Sequence, residues 1–276
     1  MLTNDDIEYL IDCSYKIRLS VLKSLKNFEI GYLGACLAMA DIFTSLYFTP
    51  LYKESNEHNH GIRYEIFLLS DKLVPLLLAT QAHAGQISFK TLYQNPVLTT
   101  NQNHTIDVKK DRLTQILKLI RSDKSRNIQP NAVIITDIEE LSKEDNFSLF
   151  SPDKCVIPKN VTFILDQGSL FSNNNDLPIN KVLTITEQLT AYGWNLIECN
   201  GHNFEDIISR LGSMDADPAK SFILNAHTVS GKGIISIEGN PMWYNKVPSS
   251  NQIREFCCQL EESHKINKMR LNLNNR

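Results

Sequence analysis

Val161-Thr162-Phe163-Ile164-Leu165 is an unbroken apolar and β-branched run that ends on Asp166-Gln167-Gly168. It has no alternating polar face to offer water, so it reads as a parallel strand covered on both sides. Ala132-Val133-Ile134-Ile135 and Ser221-Phe222-Ile223-Leu224 have the same character. Weaker strand signals cover residues 67–69 and 194–198. Helical spacing of apolar residues fills the intervals. It is clearest over residues 4–26 (Ile7, Leu10, Ile11, Tyr15, Ile17, Val21, Leu22, Leu25), where Asn4 or Asp5 is the expected cap. Further helices are expected over 34–48, 72–83, 109–120, 185–192 and 204–211, the first apolar on most faces and therefore buried. Alternating strand and helix predicts an α/β, doubly wound, mainly parallel sheet with helices on both faces and ligands at the carboxyl ends of its strands.

The remaining stretches are punctuation. Residues 95–105 are polar and read as a loop, and Asn173-Asn174-Asn175 as a turn. No internal repeat is present. One folded unit is expected over 1–263, followed by a polar tail, 264–276, that should fray.

Bulk composition excludes several classes. With 42% apolar and 21% charged residues over 276 positions, the chain can bury a large core and is not of the disordered type. A net charge of -3 gives no general attraction for nucleic acid or anionic lipid. Lys118, Arg121, Lys124 and Arg126 form a local basic stretch that reads as a solvated helix end. The polar, acidic start at Met1 to Asp6 is unlike a signal peptide, and apolar runs such as 73–79 are too short for a membrane span. Cys13, Cys36, Cys155, Cys199, Cys257 and Cys258 form no C-x-x-C pair and read as reduced thiols of a cytoplasmic protein.

Several stretches, in order, resemble the N-terminal, diphosphate-binding half of transketolases. Ala191-Tyr192-Gly193-Trp194, Ile197-Glu198 and Gly201-His202-Asn203 are similar to that family's "a-x-G-W-x-V-I-x-x-D-G-H-D". Ala226-His227-Thr228-Val229-Ser230-Gly231-Lys232-Gly233 resembles "A-H-T-x-K-G-K-G". Asn240-Pro241-Met242-Trp243 with Val247-Pro248-Ser249 resembles "N-P-x-W-H-G-x-A-P-S". Near the start, Ile17-Arg18, Gly31 to Gly34, Ala40-Asp41-Ile42 and Leu46-Tyr47-Phe48 complete the set. The resemblance implies the thiamine diphosphate-binding fold, thiamine diphosphate with Mg²⁺ as family cofactor, and a site shared with a C-terminal-type subunit or formed by self-association. The glutamate that activates the aminopyrimidine belongs to that other part.

The same resemblance shows where this chain departs. The family's G-D-G reads Thr136-Asp137-Ile138, followed by Glu139. Its D-N-N-x-L reads Asp166-Gln167-Gly168-Ser169-Leu170, so Gly168 stands at the Asn ligand and Leu170 retains only a carbonyl. The cofactor-binding positions implied are Asp137, Glu139, Gly168, Leu170 and His104, with Asp137 the one metal-ligand candidate. Mg²⁺ wants near-octahedral oxygen ligands, and one surviving carboxylate makes a poor set. Family histidines correspond to Tyr32, to Leu73 in Ser70-Asp71-Lys72-Leu73-Val74 (family S-x-G-H-A), and to Tyr244. Ser230 replaces a phosphate-binding lysine, and Thr105 to Asp111 replaces a glycine-rich turn.

Blander readings stand beside these. Asp137 at a strand end reads equally as a cap for the next segment. His202 reads as a turn residue, His227 as a satisfied core histidine, and His58 and His60 as surface residues. Three functions remain open: a non-catalytic transketolase-like subunit; a divergent active half using Asp137, Glu139 and the Leu170 carbonyl; and a pocket reused for an anion beside Lys72, Lys109, Lys110 and Lys232.

Overall fold

The computed structural model describes residues 2–25, 31–49, 64–94, 112–122, 131–141, 150–151, 161–168, 179–217 and 220–273. His58, His60, His104, Lys109, Lys110, Lys124, Arg126, Cys155, Leu170, the 95–105 loop, the Thr105–Asp111 replacement and the 173–175 turn lie outside the described residues, as do the side chains of Lys118 and Arg121.

The strands are β1 (Tyr64–Leu68), β2 (Asn131–Asp137), β3 (Val161–Asp166), β4 (Asn195–Asn200) and β5 (Phe222–His227). They form one sheet in the order β1-β2-β3-β5-β4, every neighbouring pair parallel. Alternate residues of each strand enter two separate cores, as the period-2 geometry of a strand requires. Ile66, Val133, Ile135, Ile164, Leu224 and Ala226 pack on one side. Phe67, Ala132, Ile134, Phe163, Leu165 and Ile223 pack on the other. The doubly wound α/β reading therefore holds.

The first face is covered by α1 (Asn4–Ser24), α2 (Leu33–Phe48), α3 (Val74–His83), α8 (Phe204–Asp215) and α9 (Ser250–Leu273). The second is covered by α5 (Arg112–Ser122), α6 (Ile138–Leu141) and α7 (Ile179–Ala191). Between α7 and β3, Trp194 meets Phe163 edge-on at 5.3 Å and Phe150 at 5.2 Å, filling the second core. The first core is centred on α2, buried from Leu33 to Leu46, which matches its apolar circumference.

Boundaries moved where partners outweigh local pattern. Strand β1 begins at Tyr64 because Tyr64, Glu65 and Ile66 find ladder partners in Asn131, Ala132 and Val133. The cap of α1 is Thr3, not Asn4 or Asp5: its hydroxyl accepts from the Asp6 amide, while the Asp6 carboxylate accepts from the Thr3 amide at 2.8 Å. A helix absent from the expectation, α4, spans Phe89–Gln94. The expected frayed tail is corrected too: α9 runs on to Leu273 against α1. Tyr15 stacks on His264 at 4.3 Å between centroids, and Lys268 reaches Glu8 at 2.6 Å. These contacts give the polar segment a surface to order against.

Candidate functional site

The carboxyl ends of β2 and β3 lie in register, so Asp137 and Asp166 are paired Cα partners on adjacent strands. Past β1, a short 3-10 turn, Asp71–Leu73, carries Lys72 across the end of β2. There its ammonium lies 2.8 Å from Asp137 Oδ2 and 2.7 Å from Glu139 Oε2. The remaining oxygen of Asp137, Oδ1, accepts from the Glu140 amide at 2.7 Å and caps the start of α6. Asp137 is thus a cap, as one reading had it, and an ion-pair partner at once.

Burial would lower the Lys72 pKa, but Asp137 and then Glu139 overcome it and raise it, so the ammonium stays charged. Asp166 is the opposite case. It is almost fully buried, and burial pushes its carboxyl up to about 6, reinforced by the nearby charge of Asp137 and only partly offset by hydrogen bonds from Thr228 and Gly168. Tyr244 is buried beside this cluster. Its hydroxyl is pushed well above the ordinary value by burial and by the Asp166, Asp137 and Glu139 charges.

Gly168 donates its amide to Asp166 Oδ1 and to Thr228 Oγ1, both at 2.9 Å. A Cβ at this position would run into Thr228 Oγ1, with the Asp166 carboxylate at 3.2 Å and the Thr228 carbonyl at 3.3 Å. The place where the family resemblance puts an Asn ligand is therefore filled from the β5 side. Among the described residues, no group of three or more His, Cys, Asp or Glu is arranged to hold a metal ion. Asp137, Glu139 and Gly168 do not fit a magnesium diphosphate as they stand, since an ammonium and a hydroxyl occupy the ligand positions.

Of the other positions singled out in the sequence, Leu73 and Ser230 are buried, and Ser230 Oγ has no hydrogen-bond partner among the described residues. Tyr32 precedes α2 and packs against the first core. Lys232 is paired with Glu238 at 2.6 Å, so neither it nor Lys72 is an unengaged cation awaiting an anion. His227 is exposed and meets Glu198 at 2.6 Å, which corrects the core-histidine reading. It lies at the end of β5, past the apolar part of the strand.

His202 proves to be more than a turn residue. Its Nδ1 meets Asp41 Oδ2 at 2.9 Å, and its Nε2 accepts from the Val229 amide at 2.8 Å. That arrangement sets the tautomer: the proton is on Nδ1 and is donated to Asp41. Asp41 also receives two bonds from Arg18 at 2.8 Å, while the same guanidinium reaches Ser14 and the Leu37 carbonyl at 3.1 Å. Burial would raise the Asp41 carboxyl, but Arg18 and His202 hold it well below the usual carboxylate range. The network ties α1, α2, the turn after β4 and the loop after β5 together.

Sequence reasoning missed Thr228 as the residue that closes the Gly168 position. One of its three open readings placed Lys72 beside an anion, and none paired it with Asp137 and Glu139. The available signal was the replacement of the glycine in S-x-G-H-A by a lysine close to two strand-end carboxylates.

No family model matches the chain. It is 31% identical over 103 residues to an apulose-4-phosphate transketolase subunit from Phocaeicola vulgatus, a match that covers 37% of this chain and 37% of that protein. It is 24% identical over 242 residues to the corresponding apulose-4-phosphate transketolase subunit from Actinobacillus succinogenes, covering 81% of this chain and 85% of that one. Among solved structures, the transketolase of Leishmania mexicana superposes with a TM-score of 0.66 at 12% identity over 96% of this chain and 45% of that chain. The chain thus spans less than half of that transketolase. It has the thiamine diphosphate-binding fold found in transketolases, and its likeness to transketolases holds in sequence and in architecture.

Proposed function

We propose that this chain is a transketolase N-terminal-like subunit that is non-catalytic and serves as a structural or regulatory partner of a C-terminal-type subunit. One observation carries the reading. Both oxygens of Asp137, the carboxylate left at the G-D-G position, are engaged by the protein's own donors, Lys72 Nζ and the Glu140 amide. A divalent cation would have to break a charge-assisted bond in a largely buried place and then find a second ligand where Gly168 has no side chain. The two bacterial relatives bear the names of single subunits of a transketolase, which favours a partner chain here. A cytoplasmic location belongs to the same proposal.

The alternative is a divergent active half that moves a two-carbon ketol unit between sugar phosphates when its partner is present. Asp137 beside Asp166 at the strand ends favours it, because the sequence resemblance puts the family's metal side at these positions. The two readings separate in one experiment. Thiamine diphosphate with Mg²⁺ is titrated calorimetrically into the chain, alone and mixed with a C-terminal-type subunit, and ketol transfer is assayed in the mixture. Complex formation without cofactor binding or turnover is the expected result. Cofactor binding that depends on the partner and is lost in Asp137→Ala would establish the active half instead.

A further inference from the structure

We propose that Lys72 is a tethered counter-ion: its ammonium takes the position of the divalent cation at the strand-end carboxylates, and the pocket keeps its shape without metal. This deepens the non-catalytic reading and rests on it for the correspondence between these carboxylates and a metal site.

The geometry supplies the case. Asp137 and Asp166 are buried side by side at the ends of β2 and β3, with the partly exposed Glu139 next to them, and carboxylates collected in a buried place repel one another unless a cation joins them. A lysine suits this role because its charge is compact and its three N–H donors rotate freely, so one head can serve two acceptors at different angles. Two of the donors are accounted for by Asp137 and Glu139. On another side the ammonium lies 5.9 Å from the Tyr244 ring centroid, where the π-face adds attraction for a cation. The lysine backbone is held as well: its carbonyl accepts from Cys36 Sγ at 3.4 Å, on α2. The side chain is 14% exposed, which leaves little water to screen the pair.

The position is informative. A glycine in the resembling motif carries no side chain and leaves the strand ends open. Lysine there brings the cation in covalently. A dissociable ion, dependent on concentration, is replaced by one whose local concentration is fixed by a four-carbon stem.

The test is thermal unfolding of the full chain in millimolar Mg²⁺, in NaCl of equal ionic strength and in EDTA, with Tb³⁺ luminescence sensitised by Tyr244 as a direct readout of ion binding. The wild-type Tm is expected to be the same in all three, with no saturable Tb³⁺ signal. Lys72→Met should lower Tm by about 4 °C or more, and Mg²⁺ should recover much of that loss while Tb³⁺ binds saturably. Lys72→Arg should keep most of the stability and stay indifferent to Mg²⁺. If Lys72→Met does not fold, Lys72→Met combined with Asp137→Asn and Glu139→Gln should, because the two carboxylates that the ammonium meets are then neutral. A Mg²⁺-specific rise in wild-type Tm that Asp137→Asn abolishes would overturn the proposal. So would a Lys72→Met chain as stable as wild type, or a triple variant that stays unfolded. None of these readouts involves thiamine diphosphate or ketol transfer, so the proposal can fail while the non-catalytic reading stands, and the reverse.

Discussion

Asp41 and Asp166 are two buried carboxylates in one molecule, and they behave in opposite ways. Asp41, on α2, is met by a bidentate guanidinium and an imidazole N–H, and its carboxyl is held below the ordinary range despite burial. Asp166, at the end of β3, is met by a hydroxyl and an amide, neither charged, and its carboxyl is pushed up to about 6. Burial is common to both, so the partners decide. The first carboxylate ties helices to loops and stabilises the fold in its ionised state. The second is ionised at neutral pH at the expense of stability. A group of that kind is commonly found where chemistry once mattered or still does. Around it here stand Lys72, Gly168 and Leu73, at positions where the resembling motifs have other residues.

The comparison can be broken or sharpened by four measurements. The largest effect is expected from Asp41→Asn, which leaves the Arg18 guanidinium buried without its counter-charge. Denaturant unfolding should show a loss of about 3–5 kcal/mol. A loss below about 1 kcal/mol would mean that the network is ornamental to stability.

Next is Asp166→Asn, whose effect depends on pH. A carboxyl raised in the folded state binds its proton more tightly there than in the unfolded chain. Stability should therefore fall as pH rises from about 4 to about 6, then level off. Going from 3.8 to about 6, at about 1.36 kcal/mol per pKa unit, amounts to on the order of 3 kcal/mol. The Asn variant keeps an oxygen acceptor for Gly168 and Thr228, so it should lack this fall and exceed wild type at pH 7. Asp41 works with the other sign: its contribution is present above the ordinary carboxylate pKa and is lost as pH drops below it. Parallel unfolding series in wild type and Asp166→Asn from pH 4 to pH 7 would check the sign for Asp166, and identical slopes would contradict the assignment.

A smaller loss is expected from Gly168→Ala, about 2 kcal/mol, because the new methyl meets Thr228 Oγ1. Thr228→Ser keeps that hydroxyl and should not relieve it, whereas Thr228→Ala in the same chain should relieve part of it. Equal unfolding midpoints for Gly168→Ala with and without the Thr228→Ala change would remove steric closure as the reason the ligand position is empty of side chains. The smallest effect is expected from Glu261→Ala. It breaks an exposed i,i+4 pair with Lys265, and the midpoint should not move beyond experimental scatter.

Much of the fold was legible in the chain. Ala132–Ile135, Val161–Leu165 and Phe222–Leu224 are apolar on both faces, and only a two-sided parallel sheet gives such residues somewhere to go. The ordered glycine, tryptophan and histidine motifs placed the architecture among transketolases before any coordinates. The departures at Gly168, Leu73 and Tyr244 were equally visible, because each changes what a side chain can donate or ligate, and Ile138 puts a bulky side chain where the resembling motif has a glycine. Boundaries were less legible: Tyr64 joins β1 through partners more than sixty residues away, and the polar end of α9 orders only because α1 offers Tyr15, Asp12 and Glu8.

What sequence by itself determined, then, is the α/β layering and which residue types were missing from the strand ends, since both follow from local pattern and side-chain chemistry. What replaced them was decided by tertiary structure alone. Lys72 reaches Asp137 across 65 positions, Thr228 closes on Gly168 across 60, and His202 joins Asp41 across 161. Electrostatic and steric compensation act through space at a few ångströms. The chain order of two residues says nothing of that distance until the sheet has brought their ends together.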